Sequence, residues 1–214
     1  HRFGEIDPVA SFVGTRRYER VGYAMGAAGD VNNDGYDDFL IGTFHSGYRG
    51  HDAGAAYLVL GRPNLDWGHY HHLDNADARF LGRQSYDAVG SAVTGGDLNG
   101  DGYSDIIIGA PAGNDLVPEN PGWVYIVWGN RYAAWGHDFV LDRNANVKLA
   151  GELRTYDDTL RGGLAGFELR VIGDLNGDGC EELLVSAPFL DEGNQDSGKI
   201  YLLPGRKTGW PDSL

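Results

Sequence analysis

Asp97-Leu98-Asn99-Gly100-Asp101-Gly102-Tyr103-Ser104-Asp105 is the stretch from which the rest of this chain can be read. Side-chain oxygens stand at its positions 1, 3, 5 and 9, and glycine stands at 6. Odd-numbered oxygens in a tight loop can converge on one point. Glycine at 6 permits the sharp turn, and the carbonyl at 7 adds another oxygen. A hard cation that takes six to eight oxygens from a flexible loop is calcium. In helix–loop–helix calcium sites the ligand set closes with glutamate at 12. Here position 12 is Ile108, and Ile106-Ile107-Ile108 reads as strand. The pattern therefore predicts a calcium-binding β-hairpin.

The loop occurs three times, beginning at Asp30, Asp97 and Asp174, with start-to-start spacings of 67 and 77 residues. Internal repetition at such a period marks a repeat architecture. Other landmarks keep step. A small-residue segment precedes each loop: Gly22 to Gly29, Gly90 to Gly96, Gly166 to Gly173. An apolar burst follows: Phe39-Leu40-Ile41, Ile106-Ile107-Ile108, Leu183-Leu184-Val185. Each burst ends in a turn triplet, and a glycine-led strand comes next: Gly54 to Leu60, Gly122 to Trp128, Gly198 to Leu203. After a glycine–tryptophan turn the unit runs to a last, less regular strand ending near Gly82 and Gly151.

Four short strands per unit, bounded by Gly, Asp and Pro, predict an all-β chain of four-stranded antiparallel propeller blades. The strands are termed A (small residues), B (burst), C and D. Small residues suit strand A, which lies nearest the crowded axis. The expected division is one propeller segment over 1–214, with repeats near 15–82, 83–151 and 152–214. Residues 1–14 form a spare, unpaired outer strand, about Val9 to Val13. The calcium loops and the turns at Trp67, Trp135 and Trp210 fall at one end, the bottom. The B-to-C loops and D-to-A links fall at the top. The third link, Gly151 to Gly166, is longer than its counterparts.

The net charge is −14, and nine carboxylates stand at the ligand positions of the three loops. That balance repels the phosphate backbone, so no nucleic-acid partner is expected. One cysteine, Cys180, excludes an intrachain disulfide framework. It occupies position 7 of the third loop, where only the carbonyl is needed. No apolar run is long enough to span a bilayer as a helix.

The repeats resemble the FG-GAP repeats of integrin α-subunit β-propellers and of secreted bacterial proteins. The first dipeptide of that motif matches Val21-Gly22, Val89-Gly90 and Ala165-Gly166. The triplet is kept at Gly109-Ala110-Pro111, nearly at Ser186-Ala187-Pro188 and weakly at Gly42-Thr43-Phe44. The resemblance implies three Ca²⁺ sites with these ligands: Asp30, Asn32, Asp34 and Asp38 with the Tyr36 carbonyl; Asp97, Asn99, Asp101 and Asp105 with the Tyr103 carbonyl; Asp174, Asn176, Asp178 and Glu182 with the Cys180 carbonyl. Glu182 departs from aspartate, but it can still close the shell. The family engages ligands on the top face. Its vertebrate disulfides are absent here, which points to a prokaryotic source.

Three blades do not close a ring, since propellers have about four to eight. Further blades of a longer chain, or strand exchange between copies of this one, would close it. No Ser-His-Asp arrangement, phosphate loop or isolated carboxylate pair points to catalysis. The expected function is a non-catalytic, calcium-stabilised extracellular scaffold or binding module for adhesion or self-assembly. Its partners would be its own copies or further blades, with a protein or glycan ligand on the top face. The alternative is a supporting propeller of a secreted hydrolase or polysaccharide lyase. His69 and His71, which would share a strand face, and the Glu168/Arg170 pair on strand A are the remaining polar candidates.

Overall fold

The computed structural model describes residues 8–111, 120–156, 159–190 and 196–214. Strand β1 is Phe12–Val13. The first repeat supplies β2 (Ala24–Gly29), β3 (Asp38–Thr43), β4 (Ala55–Val59), β5 (His71–His72) and β6 (Ala78–Leu81). The second supplies β7 (Ala92–Gly96), β8 (Asp105–Ala110), β9 (Trp123–Val127), β10 (Gly136–Val140) and β11 (Val147–Ala150). In the third, β12 (Leu153–Tyr156) and β13 (Thr159–Gly162) form a hairpin within the long link; β14 (Leu169–Val171), β15 (Leu183–Ala187) and β16 (Lys199–Leu203) follow. One α-helical turn, Leu141–Asn144, and two short 3-10 turns, Pro63–Leu65 and Leu73–Asn75, interrupt the all-β pattern. No helix among the described residues is long and apolar enough to cross a membrane.

Strands A, B and C lie in antiparallel order in each unit. The sheets run β6-β4-β3-β2, β11-β9-β8-β7 and β16-β15-β14. The stretch between each tryptophan turn and strand D departs from the expected single irregular strand. In the second unit it crosses over, and β10 pairs in parallel with β6 of the first, Phe139 opposite Phe80 and Val140 opposite Leu81. One repeat earlier, β5 pairs in parallel with β1, His71 opposite Phe12 and His72 opposite Val13. Thus β1 stands to β5 as β6 stands to β10. The outer strand expected over Val9 to Val13 is Phe12–Val13, paired on one side. Segments this short carry no period-2 signal, so the crossover is not visible in the sequence.

The burst Ile106-Ile107-Ile108 is continuous because both faces of the middle sheet are buried. Ile106 and Ile108 point back into a core with Leu40, Leu58 and Phe80 of the first sheet. Ile107 points forward into a core with Leu183, Val185 and Leu169 of the third. Burying each such side chain contributes about 1.5–3 kcal/mol.

Inner strands approach closely enough to exclude side chains. A methyl group at Gly26 would strike the Val93 carbonyl, and one at Gly95 the Ala28 carbonyl. The same crowding ties the two halves of the repeat motif together across neighbouring sheets. A methyl at Gly42 would strike the carbonyl of Gly90, and one at Gly109 that of Gly166. Gly109→Ala should therefore destabilise the fold by about 1–3 kcal/mol through overpacking. Gly47→Ala, where the nearest atom outside the local backbone lies 3.7 Å away, should stay within about 0.5 kcal/mol of the parent. Urea denaturation of the two variants checks the contrast.

Candidate metal centre

All three loops share one hydrogen-bond frame. The first aspartate accepts from the N–H groups of positions 5 and 6: Asp34 and Gly35 to Asp30 (3.0 and 2.8 Å), Asp101 and Gly102 to Asp97 (3.1 and 2.9 Å), Asp178 and Gly179 to Asp174 (3.2 and 2.9 Å). Asparagine at 3 accepts from the N–H of position 5, in Asn32, Asn99 and Asn176 alike. Aspartate at 5 accepts from the N–H of position 7, in Asp34, Asp101 and Asp178. Glycine at 6 has positive φ each time, 93°, 88° and 85° for Gly35, Gly102 and Gly179. Short side chains of this kind bond their own backbone and fold the loop around their oxygens. The position 7 side chains differ: Tyr36 is exposed, Tyr103 half-buried and Cys180 buried, as expected where only the carbonyl has a role.

The closing residue does a second job. Asp105 is fully buried and accepts from Leu98 N (2.9 Å) and Gly129 N (3.0 Å). Asp38 repeats this with Val31 N and Gly61 N, at 2.9 and 2.7 Å. Each carboxylate clamps the A-to-B loop to the C-to-D turn. Burial pushes Asp38 up to about 6 and Asp105 up to about 8, against the two hydrogen bonds that favour the anion. Neighbouring loop aspartates raise both further. A divalent cation would reverse that balance.

In the third loop Glu182 accepts from Leu175 N (2.6 Å) and, through its other oxygen, from Asn176 Nδ2 (3.3 Å). Oxygens of Asp174, Asp178 and Glu182 lie within 4.8 Å of one another, the one metal-sized cluster of acids, histidines or cysteines among the described residues. The loops also touch in a row along the bottom. Asp30 O accepts from Ser104 N (3.1 Å) and Val31 O from Asn130 N (2.9 Å). One repeat on, Asp97 O accepts from Glu181 N (2.9 Å) and Leu98 O from Arg206 N (2.8 Å).

A family model described as the FG-GAP repeat matches residues 89–132 and 171–203. The chain carries FG-GAP repeats. It is 31% identical over 199 residues to bovine phosphatidylinositol-glycan-specific phospholipase D, covering 90% of this chain and 22% of that protein. Integrin alpha-PS2 of Drosophila melanogaster is 32% identical over 194 residues (86% of this chain, 12% of that protein). Chicken integrin alpha-V is 28% identical over 194 residues (88% and 16%). The chain thus spans about a fifth or less of the length of these relatives. The match falls on the second and third FG-GAP units; the first, with Gly42-Thr43-Phe44 at the triplet, lies outside it.

The other polar candidates resolve into packing. His71 lies edge-on against Phe12 at 5.5 Å. Glu168 and Arg170 form an exposed ion pair of 2.9 Å. Trp67 packs on Phe12 and Phe39, and Trp210 on Trp128. Loop residues 112–119 and 191–195 lie outside the described residues, as do 157–158 of the long link.

Sequence reasoning missed the acids of the D-to-A links. Glu19 accepts from Thr15 N and Arg16 N and from the buried Tyr57 hydroxyl at 2.5 Å. Asp87 accepts likewise from Arg83 N and Gln84 N. Glu152 accepts from the Tyr201 hydroxyl at 2.8 Å and from Lys199 at 2.6 Å. The signal was present: Tyr18 and Tyr86 recur, and the acid after each does the work.

The two jobs of the loop carboxylates are separable. Asp105→Asn leaves a buried N–H facing an amide donor and should cost about 1–3 kcal/mol even in EDTA. Asp101→Asn, exposed and able to keep its bond to Tyr103 N, should be at least as stable as the parent in EDTA, because it removes a charge that opposes Asp105, and should lose the second loop's share of the response to calcium. Thermal denaturation in both buffers distinguishes them.

Proposed function

We propose that this chain is a non-catalytic, calcium-stapled binding or scaffold module of propeller blades that works outside the cell. The observation that carries the reading is the hydrogen-bond frame shared by three acidic loops in a chain of strong negative charge. Each frame offers the oxygens named at positions 1, 3, 5 and 9 and the carbonyl at 7. A hard cation takes such a set, while nine carboxylates held in three hairpins without one repel each other. Bound Ca²⁺ would offset two of the three carboxylate charges in each loop and let the closing acid ionise. Affinities of about 10⁻⁴–10⁻³ M suit extracellular modules, where calcium is plentiful.

The likeness to integrin alpha chains supports a binding role for the FG-GAP units. The likeness to phosphatidylinositol-glycan-specific phospholipase D favours a second reading, a propeller that supports a catalytic domain elsewhere in a longer protein. Fold alone does not choose between them. A protein or glycan ligand would meet the top face, opposite the calcium loops.

Calorimetry with calcium and with EDTA tests the metal. At tenfold excess over Kd each site should add about 1.4 kcal/mol by mass action. The effect should grow with pH. Asp38 and Asp105 titrate higher in the metal-free fold than in the unfolded chain, so their protons stabilise that fold at low pH. This support is lost as pH rises through about 6 and about 8. Calcium takes the place of those protons. The melting temperature in EDTA should thus fall from pH 5 to 8, and the calcium increment should widen. An increment that is absent, or flat with pH, overturns the staple.

A further inference from the structure

The second and third loops are joined by a side chain outside the ligand positions. Glu181 stands at position 8 of the third loop, between positions 7 and 9, where the Cys180 carbonyl and Glu182 would hold a cation. Its N–H donates to Asp97 O at 2.9 Å, and its Oε2 accepts from Asp97 N at 2.7 Å. One residue of the third loop thus grips both main-chain polar groups of the first ligand residue of the second. The fit around it is close. A methyl group at Gly96 would strike Glu181 Oε2, and one at Gly205 would strike the Glu181 carbonyl. A methyl at Gly100 would strike the Gly179 carbonyl and crowd the Cys180 sulfur. The second half of the third loop therefore lies over the first half of the second, where Leu98 and Asn99 are buried.

Between the first and second loops the joint differs in kind. Ser104 holds position 8 of the second loop, and its N–H donates to Asp30 O at 3.1 Å. Its side chain is a short neutral hydroxyl that lies against Gly29. Asn32 and Asn33 of the first loop are half-buried and exposed. A carboxylate acceptor makes a bond about twice as strong as a neutral one, so Glu181 makes the stronger joint. Its charge is also out of place unless cations are near. Glu181 stands between two loops that carry Asp97, Asp101 and Asp105 on one side and Asp174, Asp178 and Glu182 on the other. Carboxylates so gathered oppose one another's ionisation.

We propose that Glu181 couples the second and third loops as cation sites, so that filling one raises the affinity of the other. The inference rests on the calcium reading above. A cation held by the Cys180 carbonyl and by Glu182 fixes the residue between them. Glu181 so fixed holds the main chain of Asp97 where the Asp97 carboxylate is needed. By linkage the effect runs equally in the opposite direction. Two neighbouring cations repel each other, and the Glu181 anion between the loops offsets that repulsion. Glu181 is a positioning residue, acting on the second loop through Asp97. The first loop has Ser104 in place of this strut and fills more independently.

Terbium replaces calcium in oxygen sites and emits when a nearby tyrosine is excited, which separates the loops. Tyr36 and Tyr103 stand at position 7 of the first and second, and Cys180 at position 7 of the third. The emission lost in Tyr103→Phe therefore reports the second loop. Asp178→Asn removes a ligand charge from the third loop and keeps the bond to Cys180 N. It should weaken terbium binding at the second loop about fivefold or more, the lower end of the usual range for coupled sites. Asp34→Asn, the same change in the first loop, should have a smaller effect on the second. In a Glu181→Ala chain the effect of Asp178→Asn on the second loop should vanish. Glu181→Gln, which keeps an acceptor for Asp97 N, should restore part of it. The double-mutant cycle isolates the pairwise coupling, and competition by calcium repeats the measurement with calcium itself. A second loop indifferent to Asp178→Asn, or equally sensitive to Asp34→Asn, overturns the coupling and leaves the calcium reading standing. Coupling that survives Glu181→Ala overturns it as well. No terbium emission from any loop, with a melting temperature unmoved by calcium, overturns the calcium reading and the coupling with it.

Discussion

The constraint on which most of this structure depends is the buried carboxylate at the end of each A-to-B loop. Asp105 fixes the loop through Leu98 N and the C-to-D turn through Gly129 N, so one side chain joins the start of β8 to its own loop and to a turn 24 residues on. A neutral acceptor could satisfy one of those donors; only a carboxylate satisfies both. The anion is costly there because burial raises its pKa to about 8. The neighbouring aspartates of the same loop oppose it further. The fold has placed an ionisable group where its charge is needed for geometry and disfavoured by its surroundings. A cation held by those same loop oxygens would resolve the conflict, and that is the structural purpose the proposed calcium would serve.

From that clamp the stacking follows. The first two loops are fixed relative to their own turns by Asp38 and Asp105, and the second and third turns bond the preceding loop, Asn130 to Val31 and Arg206 to Leu98. The bottom row sets the spacing of the sheets, and the inner strands must then fit that spacing. This is why Gly26 and Gly95 face neighbouring carbonyls with no room for a methyl group. It also gives the two halves of the motif a common cause. The glycine of the triplet in one unit receives the carbonyl of the opening glycine of the next, Gly109 against Gly166. Positions about as far apart as a whole repeat are coupled by one contact.

Strands A, B and C and all three loops were legible because their signals are local. Loop oxygens alternate over nine residues, and buried bursts such as Ile106-Ile107-Ile108 need no partner to be recognised. The crossover was not legible. Whether His71-His72 pairs with its own sheet or with β1 depends on where the turn at Trp67 aims the chain, and two residues carry no periodicity. The second job of Asp38 and Asp105 was hidden for another reason. A ligand position and a buried clamp ask for the same side chain, so the metal reading accounted for the residue and ended the search. Glu19 and Asp87 followed recurring tyrosines in plain view. Their role needed the distance from link to strand C, and only the fold supplies it.

The repeat also explains why the outer faces look as they do. When each unit is related to the next by one operation, every surface that receives a neighbour is complementary to the surface that presents one. A stack of any finite length then carries one unmatched copy of each. Here the unmatched copies are Met25 with the groove beside Phe12, and Ile200, Leu202 and Leu175. Large apolar side chains at matched positions are ordinary core residues; on the outer faces of the described sheets the same side chains lie exposed. The third unit has departures of its own: Ser186 for glycine, Glu182 for aspartate, a hairpin in the link. Glycine is forced at Gly42 and Gly109 by a neighbour's carbonyl, and the third unit has Ser186 at that position. Its hydroxyl instead accepts from Glu168 N at 2.9 Å. The residue that breaks the pattern therefore reports on the contact that enforces it elsewhere, and it sets how closely anything can approach this face at its inner edge.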